Sequence, residues 1–209
     1  MDYYQTARYN MVKSQLMPNL SNPPHSLLQA FADVEKHMFF ENEWKDAAYS
    51  DARIPISEGR YLLPNDVYAK MLNAIKQAEH HKVLEIGTGC GYGTAILCEL
   101  YKHVVSVESS SDLARIASNK LVFMNIDNVT IKVAELATGA PEEGPYDAIV
   151  VHGGFESAPK TLLSQLATGG ALVGVKVINE ALHKVVMYKE VNGQYDEIEL
   201  FQSFAPKIL

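Results

Sequence analysis

The stretch Val83-Leu84-Glu85-Ile86-Gly87-Thr88-Gly89-Cys90-Gly91-Tyr92 decides the fold. Its first four residues read as the end of a buried strand, and the glycines at every second position predict a tight turn into a helix. Lacking a Cβ, Gly87, Gly89 and Gly91 can take positive φ and let a ligand touch main chain, while the first N–H groups of the following helix face it. Such a strand, turn and helix suit a nucleotide-like cofactor.

The spacing narrows the choice of cofactor. In a dinucleotide fingerprint the third glycine falls three residues after the second, and here that position is Tyr92. The next apolar run, His103-Val104-Val105-Ser106-Val107, ends in Glu108, about twenty residues past the first glycine, where a carboxylate accepts both hydroxyls of a ribose. Glu108 is compatible with either cofactor class. Glu85 separates them: a second anion beside the turn adds nothing favourable to a pyrophosphate site, whereas an acid next to Gly-x-Gly-x-Gly resembles the S-adenosylmethionine motif of class I methyltransferases.

Working outward, residues from Lys82 onward alternate regularly. Strands are predicted at Lys82 to Ile86, Val104 to Val107, Val129 to Val133, Ala148 to Val151 and Ala171 to Val175, with helices at Tyr92 to Leu100 and Asp112 to Met124. This is the order of a doubly wound, mostly parallel α/β sheet, whose ligand belongs at the C-terminal ends of the strands. Val185 to Val191 and Tyr195 to Phe201 flank Asn192-Gly193, a strong two-residue hairpin signal, so the sheet is expected to end antiparallel. Upstream, a helix is predicted around Tyr9 to Leu16, and another carries Leu27, Leu28, Phe31, Val34 and Met38 at helical spacing. A third, capped by Asn65 or Asp66, presents Val67, Met71, Leu72 and Ile75 on one face. The Pro18 to Pro24 patch is a loop inside one domain. Residues 1–209 are therefore read as a single domain, with a helical lid over 1–64 and a cofactor-binding α/β core over 65–209.

Composition sets bounds on partners. With 209 residues, 47% hydrophobic and 21% charged, the chain has the make-up of a globular domain. A net charge of −7 argues against a broad electrostatic grip on nucleic acid. No apolar run approaches the roughly 20 residues of a membrane-spanning helix, and the N-terminus lacks the pattern of a secretion signal, so a cytoplasmic location is expected. Cys90 and Cys98 are read as reduced thiols. No His/Cys/Asp/Glu cluster has metal-ligand spacing, and no metal is expected. His80-His81 are placed before the first strand, on the face away from the ligand. Oligomeric state is not legible.

Taken together, Arg8-Tyr9-Asn10-Met11-Val12-Lys13-Ser14-Gln15-Leu16, Ala48-Tyr49-Ser50-Asp51, Ile54-Pro55-Ile56, Pro145-Tyr146-Asp147-Ala148-Ile149 and the glycine turn resemble the protein-L-isoaspartate O-methyltransferase family nearly from end to end. The resemblance implies a seven-stranded class I methyltransferase sheet of order 3-2-1-4-5-7-6, S-adenosylmethionine as cofactor and isoaspartyl peptides as substrates, methylated on the way to repair. It implies a cofactor-binding set of Glu85, Ile86, Gly87, Thr88, Gly89, Gly91, Tyr92, Glu108, Ser109, Glu135 and Leu136. Within it, Glu85 and the main chain of Gly87 to Gly91 would serve the methionine end, Glu108 the ribose, and Glu135-Leu136 the adenine edge.

The chain departs from the family on the acceptor side. Gly59-Arg60-Tyr61-Leu62-Leu63-Pro64 stands where the family has Gly-Gln-Thr-Ile-Ser before a proline, and Ala134-Glu135-Leu136 stands for Gly-Asp-Gly. The threonine and serine positions fall on Tyr61 and Leu63. Tyr61 is a candidate replacement donor, Leu63 marks the lost hydroxyl, Arg60 can attract an anionic substrate, and His152, after the fourth strand, is the third candidate catalytic position. A carboxylate acceptor with pKa near ~4 is already ionised at neutral pH, so the chemistry needs orientation rather than a base. Two other readings stand beside this one: a homologue that methylates another acceptor, and a cofactor-binding protein that acts through interactions.

Overall fold

The computed structural model describes residues 2–75 and 81–209; His80 lies outside them. In chain order the helices are α1 (Tyr3–Asn10), α2 (His25–Asp33), α3 (Asn42–Lys45), α4 (Asn65–Ala74), α5 (Tyr92–Leu100), α6 (Ser111–Phe123) and α7 (Lys160–Leu163). The strands are β1 (Pro55–Ser57), β2 (Arg60–Tyr61), β3 (Lys82–Ile86), β4 (His103–Glu108), β5 (Val129–Val133), β6 (Tyr146–Phe155), β7 (Leu166–Asn179), β8 (Leu182–Val191) and β9 (Gln194–Gln202).

Strand β3 lies at the centre because Val83, Leu84, Glu85 and Ile86 are all fully buried, as expected for a parallel strand covered on both faces. It pairs in parallel with β4, Glu85 opposite Ser106, and with β6, Ile86 opposite Val151. The large sheet runs β5-β4-β3-β6-β7-β8-β9, so the chain reverses its direction of travel across the sheet beside β3. Successive side chains of β3 feed two cores. Val83 joins the cluster built with α2, α4 and α5, while Leu84 and Ile86 join Val105, Val107, Ile149 and Val151 on the other face.

Counted within this sheet, the strand order is 3-2-1-4-5-6-7, which corrects the order 3-2-1-4-5-7-6 implied by resemblance. The cause is local: only Glu180 and Ala181 separate β7 from β8, and Asn179 Oδ1 accepts the N–H groups of both Ala181 (3.0 Å) and Leu182 (2.9 Å). So tight a turn makes β8 pair antiparallel with β7 and leaves no crossover that would put β9 between them. The second turn, Asn192 (φ 52°) and Gly193 (φ 80°), has the paired positive φ of a two-residue hairpin, and β9 closes a simple meander.

Two N-terminal helices differ from their predicted bounds. α1 starts at Tyr3, capped by Asp2 Oδ1 on the Gln5 N–H at 2.7 Å, and Met11–Leu16 continues it as a wider π-helical stretch ended by Met17 N–H on Val12 O. That widening sets Met11 and Leu16, five residues apart, both in the core. α2 stops at Asp33, and Met38 sits in a separate 3₁₀ turn, Lys36–Phe39. At α4, Pro64 is the capping position, with no side-chain cap bond; Asn65 is turned inward and Asp66 pairs with Lys70.

Candidate active site

The glycine turn runs from the end of β3 into α5 with Gly87, Gly89 and Gly91 at φ 92°, 56° and 91°. These values exclude most side chains, and space does so as well. A β-carbon would stand 3.1 Å from Ile56 Cδ1 at position 89 and 3.1 Å from Ala117 Cβ at position 91. The turn is thus held between β1 on one side and α6 on the other. Gly87 N–H donates to Val107 O at 2.8 Å and Gly89 N–H to Glu108 Oε2 at 2.9 Å, which joins the turn to the tip of β4.

Glu85, one step before the turn, is a fully buried carboxylate with a polar lining. Oε2 accepts the hydroxyls of Thr94 and Ser106, each at 2.5 Å, and Thr88 Oγ1 lies 2.5 Å from Ser106 Oγ. His152 Nε2 lies 3.0 Å from Glu85 Oε1, a distance suited to ion pairing, but out of line for a hydrogen bond, so both atoms lack an aligned partner. The imidazole approaches this closely because Gly93, the fourth glycine at alternate positions, has no side chain. A β-carbon there would stand 2.5 Å from His152 Cε1 and 2.9 Å from Glu85 Oε1. The hydroxyl of buried Tyr68 donates to Gly93 O at 3.0 Å, and its ring lies 4.7 Å from that of His152.

Glu108, at the end of β4, is also fully buried, and Arg60 grips it with both arms. Nη1 to Oε1 is 2.8 Å and Nη2 to Oε2 is 3.1 Å; Ser110 N–H donates to Oε1 at 3.1 Å. Burial alone would raise the carboxyl's pKa, but the Arg60 bonds, the Gly89 and Ser110 amides and the guanidinium charge together hold it below the ordinary glutamate value.

The remaining sequence candidates are distributed unevenly around this centre. Tyr61 follows Arg60 on β2, so the two side chains point to opposite faces; Arg60 faces Glu108 and Tyr61 is 41% exposed. Leu63 is 5% exposed within the main hydrophobic cluster. Of the acceptor-loop candidates, Arg60 alone reaches the turn, through Glu108, while Tyr61 lies at the surface and Leu63 in the core. His152 supports the turn from within the fold. Tyr92 packs edge-on to Phe39 (5.8 Å), with Lys36 Nζ 5.2 Å above its ring, so it contributes main chain to the turn and its side chain to the core. Ile86 and Leu136 likewise send their side chains into the second cluster, Thr88 turns inward to Ser106, and Ser109 and Glu135 are exposed beside the cleft-side ends of β4 and β5.

One buried charge had no sequence signal. Lys36 is 2% exposed, donates to Asn65 Oδ1 at 2.7 Å, and burial lowers its pKa to about 7. Cys90 and Cys98 are free thiols, and burial raises the pKa of both.

The parallel sheet with an antiparallel end, the glycine turn at its reversal point and an acid at the tip of the next strand define a class I methyltransferase. Two solved structures share the fold at a TM-score of 0.80: a protein-L-isoaspartate O-methyltransferase, 21% identical and covering 97% of this chain and 65% of that one, and a putative one from Plasmodium falciparum in complex with S-adenosyl-L-homocysteine, 17% identical over 100% and 99%. In sequence, the protein-L-isoaspartate O-methyltransferase of Trichlorobacter lovleyi is 39% identical over 170 residues (81% of this chain, 78% of the relative). That of Syntrophobacter fumaroxidans is 38% identical over 172 residues (81% and 79%). The model of the protein-L-isoaspartate(D-aspartate) O-methyltransferase family matches residues 10–201, and the chain belongs to that family. The family is one of S-adenosylmethionine-dependent enzymes.

Proposed function

We propose that this chain transfers the methyl group of S-adenosylmethionine to the free carboxylate of L-isoaspartyl residues in damaged proteins. The observation that carries the cofactor half is the joining of Gly89 N–H to Glu108 at the reversal point of the sheet. The residues present fit the group. Three positive-φ glycines shape the turn, and Glu108 ends the next strand within hydrogen-bond reach of Gly89 N–H, which supports a ribose role for it. In this reading Gly87 to Gly91 hold the methionine end, with Glu85 and His152 bracing the turn from behind. Glu108 and Ser109 serve the ribose, and Glu135 with the main chain of Leu136 serves the adenine edge.

Bound there, S-adenosylmethionine supplies an electrophilic methyl carbon on a sulfonium. The chain's own task is to align a carboxylate already ionised at neutral pH and to exclude water, for which no proton need move. Residues 1–64 act as a lid on residues 65–209 within one domain; the shared hydrophobic cluster of α2, α4 and α5 supports this. A cytoplasmic location belongs to the same reading and is supported by the two free thiols. None of the described helices is long and apolar enough to cross a membrane.

A second reading, another anionic acceptor, is favoured by one observation: Leu63 is buried and Tyr61 faces solvent, so neither replaces the family's two hydroxyls. Transfer of labelled methyl from S-adenosylmethionine to a peptide with one L-isoaspartyl residue, against its aspartyl isomer, decides. Label in the first alone supports the repair reading; label in neither rejects it.

A further inference from the structure

We propose that Arg60 and Ile208 are internal competitors of the cofactor, so that cofactor loading must expel them and thereby rearrange the acceptor loop. The inference rests on the reading of this cleft as the cofactor site. An ionised carboxylate offers about four lone-pair directions. Those of Glu108 are taken by Arg60 Nη1 and Ser110 N–H on Oε1, with the Ser109 hydroxyl at a longer 3.4 Å, and by Arg60 Nη2 and Gly89 N–H on Oε2. The two amides belong to the turn and to the start of α6, so they stay. Ribose hydroxyls that bridge both carboxylate oxygens must displace the Arg60 side chain, the one side chain bonded to both.

The same guanidinium also covers the turn. A β-carbon at Gly87 would lie 3.3 Å from Arg60 Nη2 and 3.2 Å from Ile208 Cδ1, and one at Gly153 would lie 2.6 Å from Ile208 Cγ1. Ile208 is delivered by a separate element. Residues 206–208 lie along the end of β6, with Gly154 N–H donating to Pro206 O at 2.7 Å and Ile208 N–H to Gly154 O at 2.9 Å. The main chain on which the methionine end would lie is therefore occupied from the acceptor hairpin on one side and from the C-terminal segment on the other.

This arrangement links two events. Arg60 sits on β2, and the next residues, Tyr61 to Pro64, form the loop that departs from the family pattern. Releasing Arg60 from Glu108 shifts that loop and frees a guanidinium beside the sulfonium position, where an anionic acceptor can take it up. Cofactor first and acceptor second is the order that follows.

Calorimetric titration with S-adenosylhomocysteine of the unaltered chain, Arg60→Met and Ile208→Ala tests the competition without any acceptor present. Its outcome is thus independent of whether isoaspartyl peptide is a substrate. Both variants are expected to bind five- to tenfold more tightly, each with a cooperative melt showing that it is folded. Ile208→Ala leaves the Glu108 charge pair intact and so isolates the effect of occupancy. Equal or weaker binding by both variants overturns the proposal, as does the absence of binding by all three proteins, which overturns the cofactor reading with it. Labelling of the isoaspartyl peptide bears only on the acceptor.

Discussion

At the scale of single residues, two buried charges carry opposite consequences. In the cofactor site proposed above Glu108 binds the ribose as an anion, so Glu108→Ala should weaken S-adenosylhomocysteine binding roughly tenfold or more, since hydrogen bonds to a charged group contribute about 1.5 to 3 kcal/mol. Calorimetry reads this directly, and undiminished affinity would remove Glu108 from the ribose site. Lys36 is a cost. Its folded pKa, lowered to about 7 by burial, lies below the unfolded value of 10.5. Between those values the unfolded chain holds a proton that the folded chain has released, so this group's contribution to stability rises with pH from about 7 towards 10.5 and is flat below. From pH 6 to pH 9 that rise is about 2 to 3 kcal/mol, and denaturant unfolding at the two pH values should show it largely gone in Lys36→Met. An unchanged pH slope would mean that Lys36 keeps its proton when folded. Nothing in the sequence marks Lys36: a lysine one residue after Glu35 reads as surface, and only the 3₁₀ turn after α2 carries it inward to Asn65.

Single elements explain why the cofactor side was legible and the acceptor side was not. β3, the turn and α5 follow from local rules: a continuous apolar run, glycines where φ must be positive, and a helix beginning at Tyr92. The β1–β2 hairpin has no such rules. Its strands are three and two residues long, and which face Arg60 or Tyr61 presents depends on a pairing register, Pro55 with Tyr61 and Ser57 with Arg60, that contains an irregularity. Alternation along β2 then turns Tyr61 to solvent once Arg60 faces Glu108. Tyr61→Phe should therefore leave methyl transfer within about twofold, an ordinary outcome for an exposed side chain away from the site. Leu63→Ser, which restores the hydroxyl type of the family, should unfold the loop's anchor rather than rescue activity. It removes a 5% exposed side chain from the main core, at a cost of about 2 to 5 kcal/mol for truncation of this kind. For a chain of this size that is a fall in Tm of roughly 4 °C or more by scanning calorimetry. A gain in isoaspartyl methylation without that fall would show Leu63 facing the acceptor after all.

For the whole molecule, the proposed cofactor cleft is where distant parts of the chain meet. Arg60 comes from the N-terminal region, Gly87 to Gly93 from the central turn, Glu108 from β4, His152 from β6 and Ile208 from the last residues. The order β5-β4-β3-β6 brings the first strands to one place, because reversal beside β3 splays the loops after β3 and β6 apart while keeping them adjacent. A ligand held at such a junction stabilises the fold as a unit. At a hundred times its Kd the gain is about 2.7 kcal/mol, which for a chain of this length is roughly 5 to 10 °C in Tm. Gly93 tests whether that gain depends on the support behind the turn. A β-carbon at Gly93 would lie 2.5 Å from His152 Cε1 and 2.9 Å from Glu85 Oε1, both in a packed interior. Gly93→Ala must push the imidazole and the carboxylate apart or lift the first turn of α5, displacing the amides that follow Gly91. The expected result is a folded protein with a lower starting Tm and less than half of the normal rise with S-adenosylhomocysteine. A full rise would show that the Glu85–His152 pair is a packing feature with no hold on the geometry of the glycine turn.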